Sequence, residues 1–226
     1  MMLVKRYYAD HLSAERLKRC YDIAPARVKQ YLEAEIEHVL GYISPTHRVL
    51  ELGCGYGRVL ERLLTVAKCV VGIDVSYESL HYAGQSINLP GLHLTMMDAA
   101  ALAFRPSQFD VVVCIQNGIS AFKVDTHALV RESMRVTEKG GVCLFSTYSD
   151  KFWSNRLEWF KIQSEAGLIG EIDWKQTHEG VIRCKDGFKA TTFSRGSLLK
   201  LTRSLGLKAD VKEVDDSSLF WEIQVE

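Results

Sequence analysis

The residues that carry chemistry in this chain start at Val49-Leu50-Glu51-Leu52-Gly53-Cys54-Gly55-Tyr56-Gly57-Arg58. An apolar stretch ends near a carboxylate, breaks into glycines at alternate positions, and continues into helix-forming residues. Glycine carries no Cβ to block a ligand from the backbone, and it permits positive φ. A helix opening there would present N–H groups and a positive dipole end, so the run suits a nucleotide-like ligand. The dinucleotide fingerprint is G-x-G-x-x-G. Here the spacing is G-x-G-x-G, and Arg58 stands where the third glycine would fall. Glu51, two residues before the first glycine, would repel a pyrophosphate. It suits a ligand with a positive charge and no phosphate.

Further segments repeat the pattern of an apolar stretch followed by polar residues. Cys69-Val70-Val71-Gly72-Ile73-Asp74 ends in a carboxylate followed by Val75, and Leu92 to Met97 leads into Asp98-Ala99. Phe109 to Ile115 leads into Gln116-Asn117-Gly118. In a strand–loop–helix–strand unit the second strand end lies beside the first loop, which brings Asp74 next to the glycines. Each residue also has a plainer reading. Asp74 serves as a cap for a helix Ser76–Ser86, Asp98 starts a turn, and Asn117-Gly118 is an ordinary turn pair.

With Glu51, Gly53, Gly55 and Gly57 in the register E-x-G-x-G-x-G, the chain resembles the class I S-adenosylmethionine (SAM)-dependent methyltransferases. The resemblance spans residues 48–147 and implies SAM as cofactor and S-adenosylhomocysteine as product. It implies that Asp74, with Val75 beside it, accepts from the ribose hydroxyls. It also places Asp98 on the adenine amino group and the N–H of Ala99 on a ring nitrogen. Cys54 and Tyr56 fall inside the loop. Gln116, Asn117 and Gly118 would line the methionine end or the acceptor pocket. Asp110, at the opposite end of its strand, would be structural. An N-terminal helix would fold over the pocket as a lid, making Tyr21, Arg27 and Tyr31 candidates for contact with cofactor or acceptor. The resemblance implies methyl transfer to a small molecule with an N, O, S or C nucleophile. The alternative is a SAM-binding module without turnover. No catalytic residue is singled out, because an amine acceptor needs no dedicated base. The Asn/Asp-Pro-Pro-Tyr motif is absent, which argues against adenine-N6 and glutamine substrates.

The elements that must position these residues alternate. Strands are expected near 48–52, 69–74, 92–97, 109–115 and 141–147, and helices near 57–67, 76–87 and 124–138, the last stopped by Gly140-Gly141. That alternation predicts an α/β fold. We expect a Rossmann-like, seven-stranded, mostly parallel sheet with helices on both faces and an antiparallel last strand. A helix is expected from Ala24 through Leu40, with Val28, Tyr31, Leu32, Ile36, Val39 and Leu40 on one face. The organisation expected is a helical lid (1–47), a cofactor-binding core (48–147), an inserted acceptor cap (148–193), and a C-terminal helix and strand pair (194–226). The cap reads as a helix from Lys151 to Ala166 and a β-meander over 172–178, 181–184 and 188–193, turned by Glu179-Gly180 and Asp186-Gly187. Trp153, Trp159, Trp174, His178, Arg183 and Arg195 are its candidates for acceptor contact, and the meander is also a candidate homodimer surface.

The chain has 226 residues, enough for one α/β domain with an insertion. Lys+Arg and Asp+Glu are both 28, so there is no basic excess for a nucleic-acid partner. The six cysteines form no C-x-x-C pair, so no zinc site and no disulfide framework is expected, and no metal is assigned. The opening Met-Met-Leu-Val-Lys-Arg-Tyr-Tyr is too short in apolar run for a signal peptide. No stretch reaches the ~18–20 apolar residues of a membrane span. A soluble, cytoplasmic protein is the expectation.

Overall fold

A computed structural model describes residue 7 and residues 11–226. The segment read for a targeting signal lies outside the described residues apart from Tyr7. Seven strands form one sheet in the order β3-β2-β1-β4-β5-β9-β8. They are β1 (Arg48–Leu52), β2 (Cys69–Asp74), β3 (Leu92–Met96), β4 (Phe109–Cys114), β5 (Thr137–Tyr148), β8 (Ala209–Val214) and β9 (Ser218–Gln224). β1 to β5 pair in parallel. β9, the last strand in sequence, runs antiparallel between β5 and β8, as expected. The order reverses between β1 and β4, and ligands of open α/β sheets bind outside the strand ends at such a point.

Alternation along β4 builds two cores. Val111 and Val113 face a layer with Ile36, Val39, Leu60, Leu63 and Leu80. Val112 and Cys114 face the opposite layer with Leu129, Val130, Leu198 and Trp221. The first layer holds α2 (Ala26–Leu40), α3 (Arg58–Leu63) and α4 (Tyr77–Ser86), and the second holds α6 (Thr126–Val136) and α8 (Arg195–Ser204). A short α5 (Gly118–Ala121) follows β4. Asp110 is structural as expected, accepting from the Arg48 N–H at 2.7 Å.

Several expectations need correction. The helix expected through Leu40 forms as α2, but a further helix, α1 (Ala14–Asp22), precedes it, the two being separated at Ile23-Ala24-Pro25. Proline disfavours helix in the residue before it, so the break falls there. Strand β5 begins at Thr137 rather than 141, because Gly140 N–H donates to Val225 O and pulls the glycine pair into the sheet. The inserted meander is much less regular than its sequence. Only two two-residue strands form, β6 (Ile182–Arg183) and β7 (Lys189–Ala190), with single bridges Ile172–Cys184 and His178–Val181. The insertion's regular element is instead α7 (Trp153–Glu165). It shares a third core with the start of the chain, in which Leu12, Cys20, Val28 and Tyr31 pack with Phe152, Trp159, Phe188 and Ala190. Lid and cap are therefore one layer, roofing the carboxyl ends of the strands.

α2 carries one carboxyl side chain into the interior. Glu35 is fully buried and accepts from Gln116 N–H at 2.8 Å and from Ser218 Oγ at 2.6 Å. Burial pushes its carboxyl up to about 7, against the lowering effect of these donors and of Arg58. The folded value lies above the unfolded one, so the native state binds the extra proton and stability falls as pH rises through the window from about 4.5 to 7. In urea titrations, Glu35→Gln is expected to flatten that window, whose full amplitude is on the order of 3 kcal/mol. An unchanged pH profile in the variant would show that Glu35 does not titrate there.

Candidate functional site

A cavity of about 500 Å³ lies between the strand ends and the roof. Of the residues singled out in the sequence, Tyr21, Glu51, Gly53, Cys54, Gly55, Tyr56, Asp74, Val75, Asp98, Ala99, Gln116, Asn117 and Gly118 line it. Two do not. Gly57 sits behind the loop at φ 95°, where an added Cβ would lie 2.5 Å from Ile87 Cδ1, so its work is close packing of the loop on α4. Arg27 lies on α2, beyond the proline break. It donates to Asp215 Oδ2 at 2.7 Å and Asp215 O at 2.6 Å, with its guanidinium 4.9 Å from the Phe152 ring centroid. It ties α2 to the β8–β9 turn and does not reach the cavity. Arg183 and Arg195 are also outside it, and Arg195 donates to Val211 O. Trp174 is exposed on the cap surface, whereas Trp159 lines the cavity.

The glycine loop is fixed mainly by its own sheet. Gly53 and Cys54 N–H both donate to Ile73 O, at 2.8 and 2.9 Å. Gly55 N–H donates to Asp74 Oδ2 at 2.9 Å, and Ser76 N–H to Asp74 Oδ1 at 2.8 Å. These amides are engaged within the fold, so the loop shapes the wall more than it offers donors. Each Asp74 oxygen keeps accepting capacity beyond its one backbone bond. Burial raises the Asp74 carboxyl above its ordinary value, opposed by the donors of Ser76, Gly55 and Val75. Ser76 caps α4, accepting from Ser79 N–H, so capping is not Asp74's role. Asp98 accepts from Ala100 N–H at 2.9 Å, the turn that its plainer reading anticipated.

Unpaired polar atoms gather on one wall. Glu51 is 4% exposed, and its Oε2 has no partner among the described residues. Burial pushes its carboxyl up to about 8, with the Arg58 charge opposing and the Asp74 charge adding. Arg58, used in the sequence only to exclude a dinucleotide loop, turns its buried Nε and Nη2 toward no protein acceptor among the described residues. Its guanidinium lies 5.2 Å from the Tyr21 ring centroid. Tyr21 Oη donates to Gln116 Oε1 at 3.0 Å, and Gln116 Nε2 is buried without a partner among the described residues. Gln116 and Asn117 both stand at positive φ, 55° and 63°, which is unfavourable for non-glycine residues. Glu35 restrains that turn from below through the Gln116 N–H. Asn117 restrains it from the side, accepting from Thr147 Oγ1 at 2.8 Å and donating to Thr191 O at 2.9 Å.

The roof was less legible. α1 lies across the loop, with Leu17 Cδ2 3.0 Å from where a Gly55 Cβ would stand. Trp159 Nε1 donates to Cys20 O at 2.8 Å and joins α1 to α7. Lys123 and Lys189 line the cavity on the cap side, with Tyr148, Trp159, Phe160 and Phe188. Lys123 stands five positions after Gly118 and carried no pattern of its own.

The model of a family described as "Methyltransferase domain" matches residues 49–141. Among curated proteins, a ubiquinone biosynthesis O-methyltransferase of Proteus mirabilis (strain HI4320) is 27% identical over 165 residues. That match covers 72% of this chain, which spans 62% of the relative's length. Among solved structures, the PH0226 protein from Pyrococcus horikoshii OT3 superposes with a TM-score of 0.65 at 19% identity, covering 98% of this chain and 99% of that one. A SAM-dependent methyltransferase from Methanosarcina mazei superposes with a TM-score of 0.60 at 20% identity, covering 83% and 96%. At these identities the structural likenesses show the fold. Over residues 49–141, which hold the acid-ended glycine loop at the sheet's reversal point, the chain is similar to the methyltransferase domain.

Proposed function

We propose that this chain transfers a methyl group from SAM to a small-molecule acceptor. One observation carries the reading. The carboxylates Glu51, Asp74 and Asp98 converge on a single roofed cavity at the switch point, and the first of them has an unpaired buried oxygen. Its volume is in the range of small-ligand pockets. The chemistry of this wall fits the cofactor. Glu51 would hold an ammonium group, and the unpaired nitrogens of Arg58 and Gln116 would hold a carboxylate. Asp74 would accept from vicinal hydroxyls, and Asp98 with the Ala99 N–H would hold the base. When bound, SAM supplies a methyl group already activated by the sulfonium charge.

The chain's own residues then position and enclose. The Gln116–Asn117 turn, held by Glu35, Thr147 and Thr191, fixes the edge of the cavity at the end of β4. α1 and α7 exclude water, which strengthens electrostatic interactions beneath them. In-line transfer requires the reacting atoms to be held about 3–3.5 Å apart, which is an orientation task rather than one for a strong base. The printed name of the Proteus relative makes oxygen the favoured accepting atom. The balanced net charge supports a small acceptor over a nucleic acid.

By calorimetry, the chain is expected to bind S-adenosylhomocysteine and to bind NAD negligibly. Tighter NAD binding would sink the cofactor assignment. Asp74→Ala should raise the S-adenosylhomocysteine Kd by more than about tenfold through loss of charge-assisted bonds. An unchanged Kd would leave Asp74 as a loop brace alone. Incubation with methyl-labelled SAM and a panel of small metabolites should label an acceptor. Tight cofactor binding with no label in any acceptor of the panel would instead favour a binding module.

A further inference from the structure

The cavity is electrically lopsided. Its acidic lining residues, Glu51, Asp74 and Asp98, belong to the ends of β1, β2 and β3. The cap side instead presents Lys123 and Lys189, and neither forms an ion pair among the described residues. Lys123 Nζ has one weak partner, Thr191 Oγ1 at 3.4 Å, two residues on from Lys189. Burial first, and then the Lys189 and Arg156 charges, hold the Lys123 ammonium below the ordinary lysine range. Arg156 lies fully buried beneath this side, 4.5 Å from the Tyr148 ring centroid and 5.5 Å from that of Phe160, donating to Gly180 O. Asp186, on the same hairpin as Lys189, is occupied by Tyr7 Oη and the Phe188 N–H.

Both lysines nonetheless remain exposed, so two like charges stand hydrated at the edge of the cavity, open to an anion that would join them. The cofactor cannot supply that anion in the arrangement proposed above, because its carboxylate is taken by Arg58 and Gln116 and its other groups face acids. It also carries a positive sulfonium, which adds to the positive charge already present. The same cavity is lined by Tyr148, Trp159, Phe160 and Phe188, aromatic surface suited to a flat apolar body.

We propose that the methyl acceptor is an aromatic anion, with its carboxylate-type group seated between Lys123 and Lys189 and its ring against Trp159 and Phe160. This rests on the methyl-transfer reading for its meaning as an acceptor site, but not for the binding itself. The two lysines would then select substrates by charge as well as orient them, since a rim pair with a shared anion fixes which end of the ring enters.

The test uses the full-length chain with 2-naphthoate and its neutral isostere 2-naphthamide as probes, followed by Trp fluorescence and calorimetry, with and without saturating S-adenosylhomocysteine. 2-Naphthoate is expected to bind at least about tenfold more tightly than the amide, and more weakly as salt is raised. In Lys123→Met/Lys189→Met the preference should vanish, while the Kd for S-adenosylhomocysteine stays at its original value. Lys189→Arg, which keeps the charge, should retain the preference. Equal binding of acid and amide, failure of both to bind, or persistence of the preference in the double variant would overturn the proposal. Failure of S-adenosylhomocysteine to bind, with acid selectivity intact, would overturn the methyl-transfer reading and leave the anion site standing.

Discussion

The bond from Gly55 N–H to Asp74 Oδ2 is the constraint on which the site depends. It spans the ends of two neighbouring parallel strands and fixes the glycine loop at positive φ, where backbone bends that most residues resist must persist. Without it the loop would have only the shared Ile73 carbonyl to hold Gly53 and Cys54. The same carboxylate receives the N–H of Ser76, the residue that caps α4. α4 in turn supplies Ala83, which together with the following Ile87 packs against Gly57. A buried acid thus organises three elements and still faces the cavity. That economy explains why an ionisable group is placed where burial works against its charge.

A second carboxylate organises the other half. Glu35 crosses from α2 to the end of β4 and to Ser218 at the start of β9, so helix, parallel strand and antiparallel strand meet on one side chain. The roof closes over both arrangements because the chain's first helices and the late insertion bury each other's apolar surface. Residues far apart in sequence, such as Cys20 and Trp159, share a hydrogen bond that neither local pattern announces.

The parts legible in the sequence were those with short-range grammar. Strand ends, glycine spacing and the order of elements follow from periodicity and motif context, and the residues of the glycine loop's first half and of the strand ends line one cavity. The misses have physical causes. Arg27 falls on the face of α2 turned to Asp215, a tertiary contact that no local pattern announces. The meander is reduced to short pairings, β6 with β7 and the bridges Ile172–Cys184 and His178–Val181, because its strands lack a larger sheet to extend. They pack on α7 and the N-terminal segment instead. Glu35 was detectable as the one acid within the buried stripe Val28, Tyr31, Leu32, Ile36 and Val39. Lys123 was not, since its setting depends on the cap folding back across α5.

Asn117 joins the cap to the reaction edge through the carbonyl oxygen of Thr191, a main-chain group. A peptide carbonyl is present whatever side chain occupies position 191. The cap hairpin can therefore change its sequence, and with it the shape and charge it presents to an acceptor, without severing the joint that holds it over the strand ends. Loops positioned by a rigid scaffold are where specificity diverges. In this fold such divergence is permitted by an attachment that reads backbone geometry and is indifferent to the residue.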